Sequence, residues 1–244
     1  MKNIALELSF DGTAYHGWQI QDNAVSVQAL LRDAIYKTTG EDVSIIGCSR
    51  TDAGVHAKSF VCNFHSETGI PLDRLHLPIN NQLPRDIVAR RAWEAAEDFH
   101  ARYSAKGKTY QYQIWNGAMP DPFLLWYAYH MPCQLDFEAM RAAAPGFLGE
   151  HDFTTFMAAG GNQKTTVRNI SALSLTKGGG LITIEITANA YLYNMVRIIA
   201  GTLVYVGLGR IAPETIPQIV QSRDRLAAGP TLPPQGLFLK EVRY

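Results

Sequence analysis

The residues best suited to chemistry lie in one short loop. Gly47-Cys48-Ser49-Arg50-Thr51-Asp52-Ala53-Gly54-Val55-His56-Ala57 falls between two strand-like patterns and gathers small residues around an arginine, an aspartate and a histidine. Gly54 admits a positive φ, so the loop can turn sharply and present the Asp52 carboxylate outward. Such a carboxylate can act as a nucleophile or as an electrostatic stabiliser. The same residues admit a structural reading, in which Asp52 caps a backbone amide in an Asx-turn and Arg50 merely neutralises it. His56, four residues after Asp52, suggests a dyad, but a structural loop contact is the better reading of it. Elsewhere there is no glycine-rich phosphate loop, no HExxH and no Cys/His ligand cluster.

The elements that must position this loop are legible from periodicity. Ile4, Leu6, Leu8 and Phe10 alternate with Ala5, Glu7 and Ser9, the pattern of a half-buried strand. Val27, Leu30, Leu31, Ala34 and Ile35 share one helical face, with Ser26 placed as N-cap. Strand-like runs follow at 43–48, 60–64 and 87–93, with a helix starting near Pro71. In the second half, strands are expected at 109–115, 169–176 and 237–242. Helices are expected at 137–147 and 214–220. Lys177-Gly178-Gly179-Gly180 reads as a turn leading into a hairpin mate that alternates Ile182, Ile184 and Ile186. Met195, Ile198, Ile199, Thr202, Leu203 and Val206 form a helical stripe. Strands solvated on one face point to antiparallel sheet, so the expected class is α+β. The expected architecture is two ferredoxin-like, RRM-like halves, 1–104 and 105–244, whose antiparallel sheets meet at a central catalytic cleft.

At 244 residues the chain can bury a substantial core. Its start runs directly into a strand pattern, so no signal peptide is expected, and its most apolar stretch, 195–208, is too short for a bilayer span and carries Arg197. Three cysteines (Cys48, Cys62, Cys133) form no CxxC pair, which suits reduced thiols in a cytoplasm. Net charge is +0, but its distribution is uneven. Lys164, Arg168, Lys177, Arg197 and Arg210 face only Glu185 across 164–210, whereas 116–163 is acidic apart from Arg141. A neutral protein can therefore carry a basic face, which is all that phosphate binding needs.

Arg50-Thr51-Asp52-Ala53-Gly54-Val55-His56-Ala57 resembles the signature loop of the tRNA pseudouridine synthase A family. Phe10-Asp11-Gly12-Thr13 with Tyr15 and Gly17-Trp18-Gln19 is similar to that family's N-terminal segment. Phe99-His100-Ala101-Arg102-Tyr103-Ser104-Ala105 with Tyr110-Gln111-Tyr112 resembles its middle. Leu148-Gly149-Glu150-His151-Asp152-Phe153, Asn194-Met195-Val196-Arg197 and Gly236-Leu237 resemble its second half. The matches run in order from residue 10 to 237; Ser49 departs, standing where many members have glycine before the arginine.

The resemblance implies a reaction without redox change: the N1–C1′ bond of a uridine breaks, the base turns, and C5 rejoins the sugar. No metal, nucleotide or flavin is needed. It implies tRNA as substrate, at positions 38, 39 and 40 of the anticodon stem-loop, and a homodimer. Because a stacked, paired nucleotide keeps C1′ out of reach, base flipping is expected. By resemblance Asp52 is the catalytic carboxylate. Burial would raise its pKa unless a cation offsets the desolvation, and Arg197 matches the family arginine that pairs with it. Arg197 shares a helix side with Ala200, Gly201 and Val204, too apolar for an unpaired guanidinium, unless it snorkels to solvent. Arg50 is expected to fill the space left by the extruded uridine or to contact phosphate. Tyr110, on one strand face with Tyr112 and Ile114, matches the tyrosine that stacks on the target base. In that role it should be partly exposed at a cleft wall, whereas a core role would bury it. Leu237 matches a position closing the other wall of the pocket. Lys58 and Arg168 are the expected contacts to the RNA backbone. Two rivals remain: a non-catalytic RNA-binding module, for which Lys58-Ser59-Phe60-Val61 is only a fragment of the RNP1 pattern, and a glycoside hydrolase, which would need a second carboxylate.

Overall fold

The computed structural model describes residues 1–161 and 164–244. In chain order the main elements are β1 (Lys2–Phe10), α1 (Val27–Thr39), β2 (Ile46–Gly47), β3 (His56–Ser66), α2 (Leu72–Asn80), β4 (Ile87–Glu94), β5 (Gly107–Trp115), β6 (Tyr129–His130), α3 (Phe137–Ala143), β7 (Gly149–Asp152), β8 (Val167–Gly178), β9 (Leu181–Ala188), α4 (Met195–Gly207), α5 (Ile216–Ser222) and β10 (Leu237–Arg243). The class is α+β with predominantly antiparallel strand pairing. Two compact units divide the chain, Met1–Lys106 with Phe238–Tyr244, and Gly107–Leu237.

The first unit is built β-α-β-β-α-β. β1 pairs antiparallel with β3 and β4, and β2 pairs antiparallel with β3, giving the ferredoxin-like order β4-β1-β3-β2. One face of β1 buries Ile4, Leu6 and Leu8, and the helices contribute Val27, Leu31, Ile35, Leu75 and Ile79 to the core. α1 begins where its cap requires: Ser26 Oγ accepts from the Ala29 N–H at 3.4 Å, and Gly40 ends the helix at φ 78°. The strand expected at 43–48 shrinks to Ile46–Gly47. The Ile45 carbonyl accepts from Gln28 Nε2 at 2.9 Å, so it is held by helix α1 instead of a neighbouring strand.

The second unit orders its strands β5-β9-β8-β7, all antiparallel, with β6 running parallel beside β5. The β8–β9 hairpin closes through Gly179 and Gly180 at φ 57° and 87°, a two-residue turn that needs positive φ at both positions. Helix α3 stops at Ala143 and continues as a 3-10 turn over 144–147, because Pro145 offers no N–H to an α-helical ladder. Along α4 every residue except Arg197 and Tyr205 is buried.

The expected division differs from the observed one at the C-terminus. β10, assigned from sequence to the second half, lies in the first unit from Phe238 onward. It pairs parallel with β3 through Phe238–His56 and Leu239–Ala57, directly after the Asp52 loop.

Candidate active site

Two glycines allow the segment after β1 to lie directly on the Asp52 loop. A Cβ on Gly12 would stand 2.0 Å from the Val55 carbonyl oxygen, and one on Gly17 2.2 Å from that of Thr51. Gly17 also sits at φ 82°, where side chains are disfavoured. With no side chains between them, the two backbones bond directly. Trp18 N–H donates to the Thr51 carbonyl at 3.3 Å, and Gly54 N–H donates to that of Tyr15 at 3.1 Å. The loop closes on itself through Val55 N–H and the Asp52 carbonyl at 3.2 Å, with Gly54 at φ 76° as the spacing predicts. The outcome is a half-buried Asp52 between a buried Thr51 and an exposed Ala53.

Side chains then brace this cradle. Trp18 stacks on Phe60 with centroids 4.1 Å apart. The Tyr15 hydroxyl donates to Asp86 Oδ1 at 2.5 Å; burial, reinforced by that carboxylate, pushes its pKa far up, so it stays a donor. His56 is buried, accepts the Gly12 N–H on Nδ1 at 3.0 Å, lies 3.0 Å from Asp11 Oδ1 and stacks on Phe238 at 4.6 Å. It is thus a structural contact of the loop, as its spacing suggests. Arg50 is exposed, at the edge of a cleft of about 230 Å³ that also reaches Trp18, His100 and Tyr103.

In the second unit Arg197 does not snorkel. Its Nε donates to the Leu232 carbonyl at 2.6 Å and its Nη1 to Asn194 Oδ1 at 2.7 Å. Asn194 leads into α4 in the left-handed region, φ 60°, without capping the helix. Asparagine tolerates that conformation better than most residues, and its amide is turned to the arginine instead. The 229–232 segment reaches the helix because Gly201 has no side chain: a Cβ there would stand 1.9 Å from the Pro230 carbonyl oxygen. Gly229 N–H donates to Thr202 Oγ1 and Leu232 N–H to the Arg197 carbonyl. The sequence marks Asn194 within the Asn194-Met195-Val196-Arg197 motif without giving it a partner, and it does not reach the 229–232 clamp, for which the glycine inside an apolar helix is the signal.

Tyr110 is 6% exposed, and this corrects the expectation of a half-open platform. It stands opposite Ile186 on β9 and packs edge-on against Tyr191, centroids 4.9 Å apart. The Tyr191 hydroxyl is within 2.9 Å of the Lys108 carbonyl and 2.7 Å of the Ile186 carbonyl, which holds that ring in place. Leu237 is buried at the start of β10, after a turn that needs Gly236: a Cβ there would meet the Gln113 carbonyl at 2.7 Å. Tyr112 donates to the Pro233 carbonyl at 2.7 Å, and burial drives its pKa upward.

Of the two backbone-contact candidates, Lys58 is exposed, its Nζ 5.1 Å from the Phe238 ring centroid. Arg168 is not available. It lies opposite His151 in the β7–β8 pair, is 7% exposed, donates from Nη1 to the Val167 carbonyl at 2.6 Å, and desolvation lowers its pKa. The basic run at 164–210 is therefore not a single phosphate-binding face, since Arg168 is turned inward and Arg197 is engaged within its own unit.

The site residues thus stand on an α+β fold, with a backbone-cradled aspartate loop in one unit and a hydrogen-bonded arginine on a helix of the other. The model of the tRNA pseudouridine synthase family matches residues 8–104 and 143–244, most of the chain. The chain is similar over its whole length to tRNA pseudouridine synthase A of Acetivibrio thermocellus, 50% identical with both chains fully covered. It is 48% identical to tRNA pseudouridine synthase A of Thermoanaerobacter sp. strain X514 and 43% identical to that of Clostridium kluyveri, again with full coverage of both chains. The chain belongs to the tRNA pseudouridine synthase family.

Proposed function

We propose that this protein isomerises uridine to pseudouridine at positions 38, 39 and 40 of the tRNA anticodon stem-loop, with Asp52 as the catalytic carboxylate. The observation that carries the reading is the cradle of the Asp52 loop, where two glycines let one segment bond to another twice through the backbone and once through the His56 ring, around a half-buried carboxylate. Preorganised charge of this kind, held by backbone bonds, acts at the reacting centre without reorganising. The N1–C1′ bond breaks, C1′ joins C5, and a proton moves in net from C5 to N1, so no oxidant, reductant or leaving molecule is involved. Arg197, Tyr110 and Leu237 take the roles that the family resemblance implies: charge partner, aromatic neighbour of the base and apolar wall. Arg50 contacts the RNA strand.

A second copy of the chain is the proposed partner besides RNA. Phe123 (86%), Met119 (75%), Leu125 and Trp126 (both 55%) expose a run of apolar surface in the second unit. Soluble monomers rarely leave such a patch bare. None of the three cysteines forms a disulfide, and no helix among the described residues is long and apolar enough to cross a membrane; the reduced thiols support a cytoplasmic setting.

Asp52→Asn keeps the shape and removes the charge. It should abolish pseudouridine formation, measured by mass spectrometry of derivatised tRNA, while tRNA affinity stays within about tenfold, because phosphate contacts and chemistry are separate. Turnover within a few-fold of wild type would remove Asp52 from its role. Release of free uracil or mere retention of RNA by the wild type would point to the hydrolase or the binding module instead.

A further inference from the structure

We propose that the cleft lined by Arg50, His100, Arg102 and Tyr103 binds a second nucleotide of the RNA strand, its base stacked on Tyr103 and its phosphate at the two arginines. The inference rests on the reading of the Asp52 site as an RNA site and adds a subsite beside it. The loop carrying three of these residues is built from below. Asn3 Nδ2 donates to the carbonyls of Ala96 and Phe99 at 2.9 Å each, and Asn63 Nδ2 donates to Asn3 Oδ1 at 2.9 Å. Asn63 Oδ1 accepts the Ala101 N–H at 2.9 Å, and the Tyr244 hydroxyl donates to the Ala101 carbonyl at 2.8 Å. Both asparagines are buried, 4% and 0% exposed. Two buried amides spent on one surface loop make a rigid platform.

The platform presents groups that the fold does not use. Tyr103 is 76% exposed although its ring lies against His100, centroids 4.3 Å apart, with the Arg102 guanidinium 5.7 Å from its centroid. His100 Nδ1 accepts the N–H groups of both Arg102 and Tyr103 at 3.2 Å. In the neutral ring the proton is therefore on Nε2, a donor pointing away from those amides. Neither Arg50 nor Arg102 pairs with a carboxylate among the described residues. An exposed aromatic flanked by guanidinium groups suits a nucleotide: bases stack on it and phosphates meet the charges. The cleft, about 230 Å³, is smaller than the roughly 300–1,000 Å³ pockets that enclose drug-sized ligands, which fits one nucleotide of a chain. Arg50 is two residues from Asp52, so at most about 7 Å of backbone separates them. The subsite is therefore next to the Asp52 loop, and the bound nucleotide is a near neighbour of the target in the RNA strand.

The test measures binding of the full-length protein to a fluorescent anticodon stem-loop and to four copies of it, each abasic at one of the two positions on either side of the target uridine. Tyr103→Ala should weaken binding to the intact RNA by about 5- to 150-fold, the range for loss of one base stack. With one of the abasic RNAs, wild type and Tyr103→Ala should bind alike, while Tyr103→Phe should match wild type on all of them. Arg102→Ala should reduce the log–log salt slope by about 1. Unchanged melting temperatures check that the exposed substitutions leave the fold intact. Equal weakening on all five RNAs, or none on the intact RNA, overturns the cleft alone. A wild type that binds none of them overturns the functional reading on which it rests.

Discussion

Gly12→Ala tests whether the chain segment after β1 truly holds the catalytic loop. The substitution adds one methyl group at a residue whose φ is not positive, so the backbone conformation itself tolerates alanine. The space does not. The new Cβ would be 2.0 Å from the Val55 carbonyl oxygen, and such contacts are not found below 3.0 Å, so Val55 must retreat by at least about 1 Å. Val55 N–H bonds to the Asp52 carbonyl, and Gly12 N–H bonds to His56 just beyond it, so the shift reaches the carboxylate and its brace together. A displacement of about 1 Å at a reacting group costs on the order of 100-fold in rate, while overpacking costs about 1–3 kcal/mol of stability. For a chain of this size the melting temperature should then fall by about 2–12 °C. Single-turnover pseudouridine formation on saturating tRNA, beside a thermal melt, separates the two effects. Gly40→Ala is the control: Gly40 ends α1 at φ 78°, and a methyl group there would have nothing within 4 Å, so alanine strains the backbone by about 1–2 kcal/mol and touches no catalytic element. It should melt lower and turn over normally. A folded Gly12→Ala with a rate within threefold of wild type would refute the cradle, as would a Gly40→Ala that loses as much activity for the same loss of melting temperature.

Three further outcomes are expected. Tyr110→Ala should cost roughly 3 kcal/mol or more because the ring is buried against Tyr191, whereas Tyr110→Phe should stay folded and lose about 100-fold in single-turnover rate if its hydroxyl transfers a proton; an unchanged rate removes that role. RNA affinity should fall with salt at a log–log slope of about −3, for some four phosphate contacts from exposed groups such as Arg50, Arg102 and Lys58; a flat dependence would contradict phosphate binding by a neutral protein. Replacing Phe123 and Trp126 with aspartate should convert a dimer into monomers by light scattering without lowering the melting temperature of the monomer, and a wild type already monomeric at micromolar concentration would dispose of the proposed partner.

Much of this protein is written in local sequence. The alternation of Ile4, Leu6 and Leu8 set β1, the Ser26 cap set the start of α1, and the glycines at 179 and 180 set the hairpin. These signals are legible because side-chain period, cap and turn chemistry act over a few residues. The Asp52 loop was visible for the same reason, as small residues and a positive-φ glycine around one carboxylate. What only the tertiary structure decided lies across long separations. The purpose of Gly12 and Gly17 depends on a backbone some forty residues away, and that of Gly201 on Pro230. Arg168 looked like a surface cation in its basic run, yet its strand position beside β7 turns it inward. Tyr110 is expected to be partly exposed at a cleft wall, yet its ring is buried with Tyr191 packed edge-on against it. β10 carries an ordinary strand pattern, and nothing in it announces the parallel pairing with β3 that puts it in the first unit. Strand partners and close backbone approaches are chosen by which distant surfaces fit without a side chain between them, and a residue's neighbours in sequence carry no record of that choice.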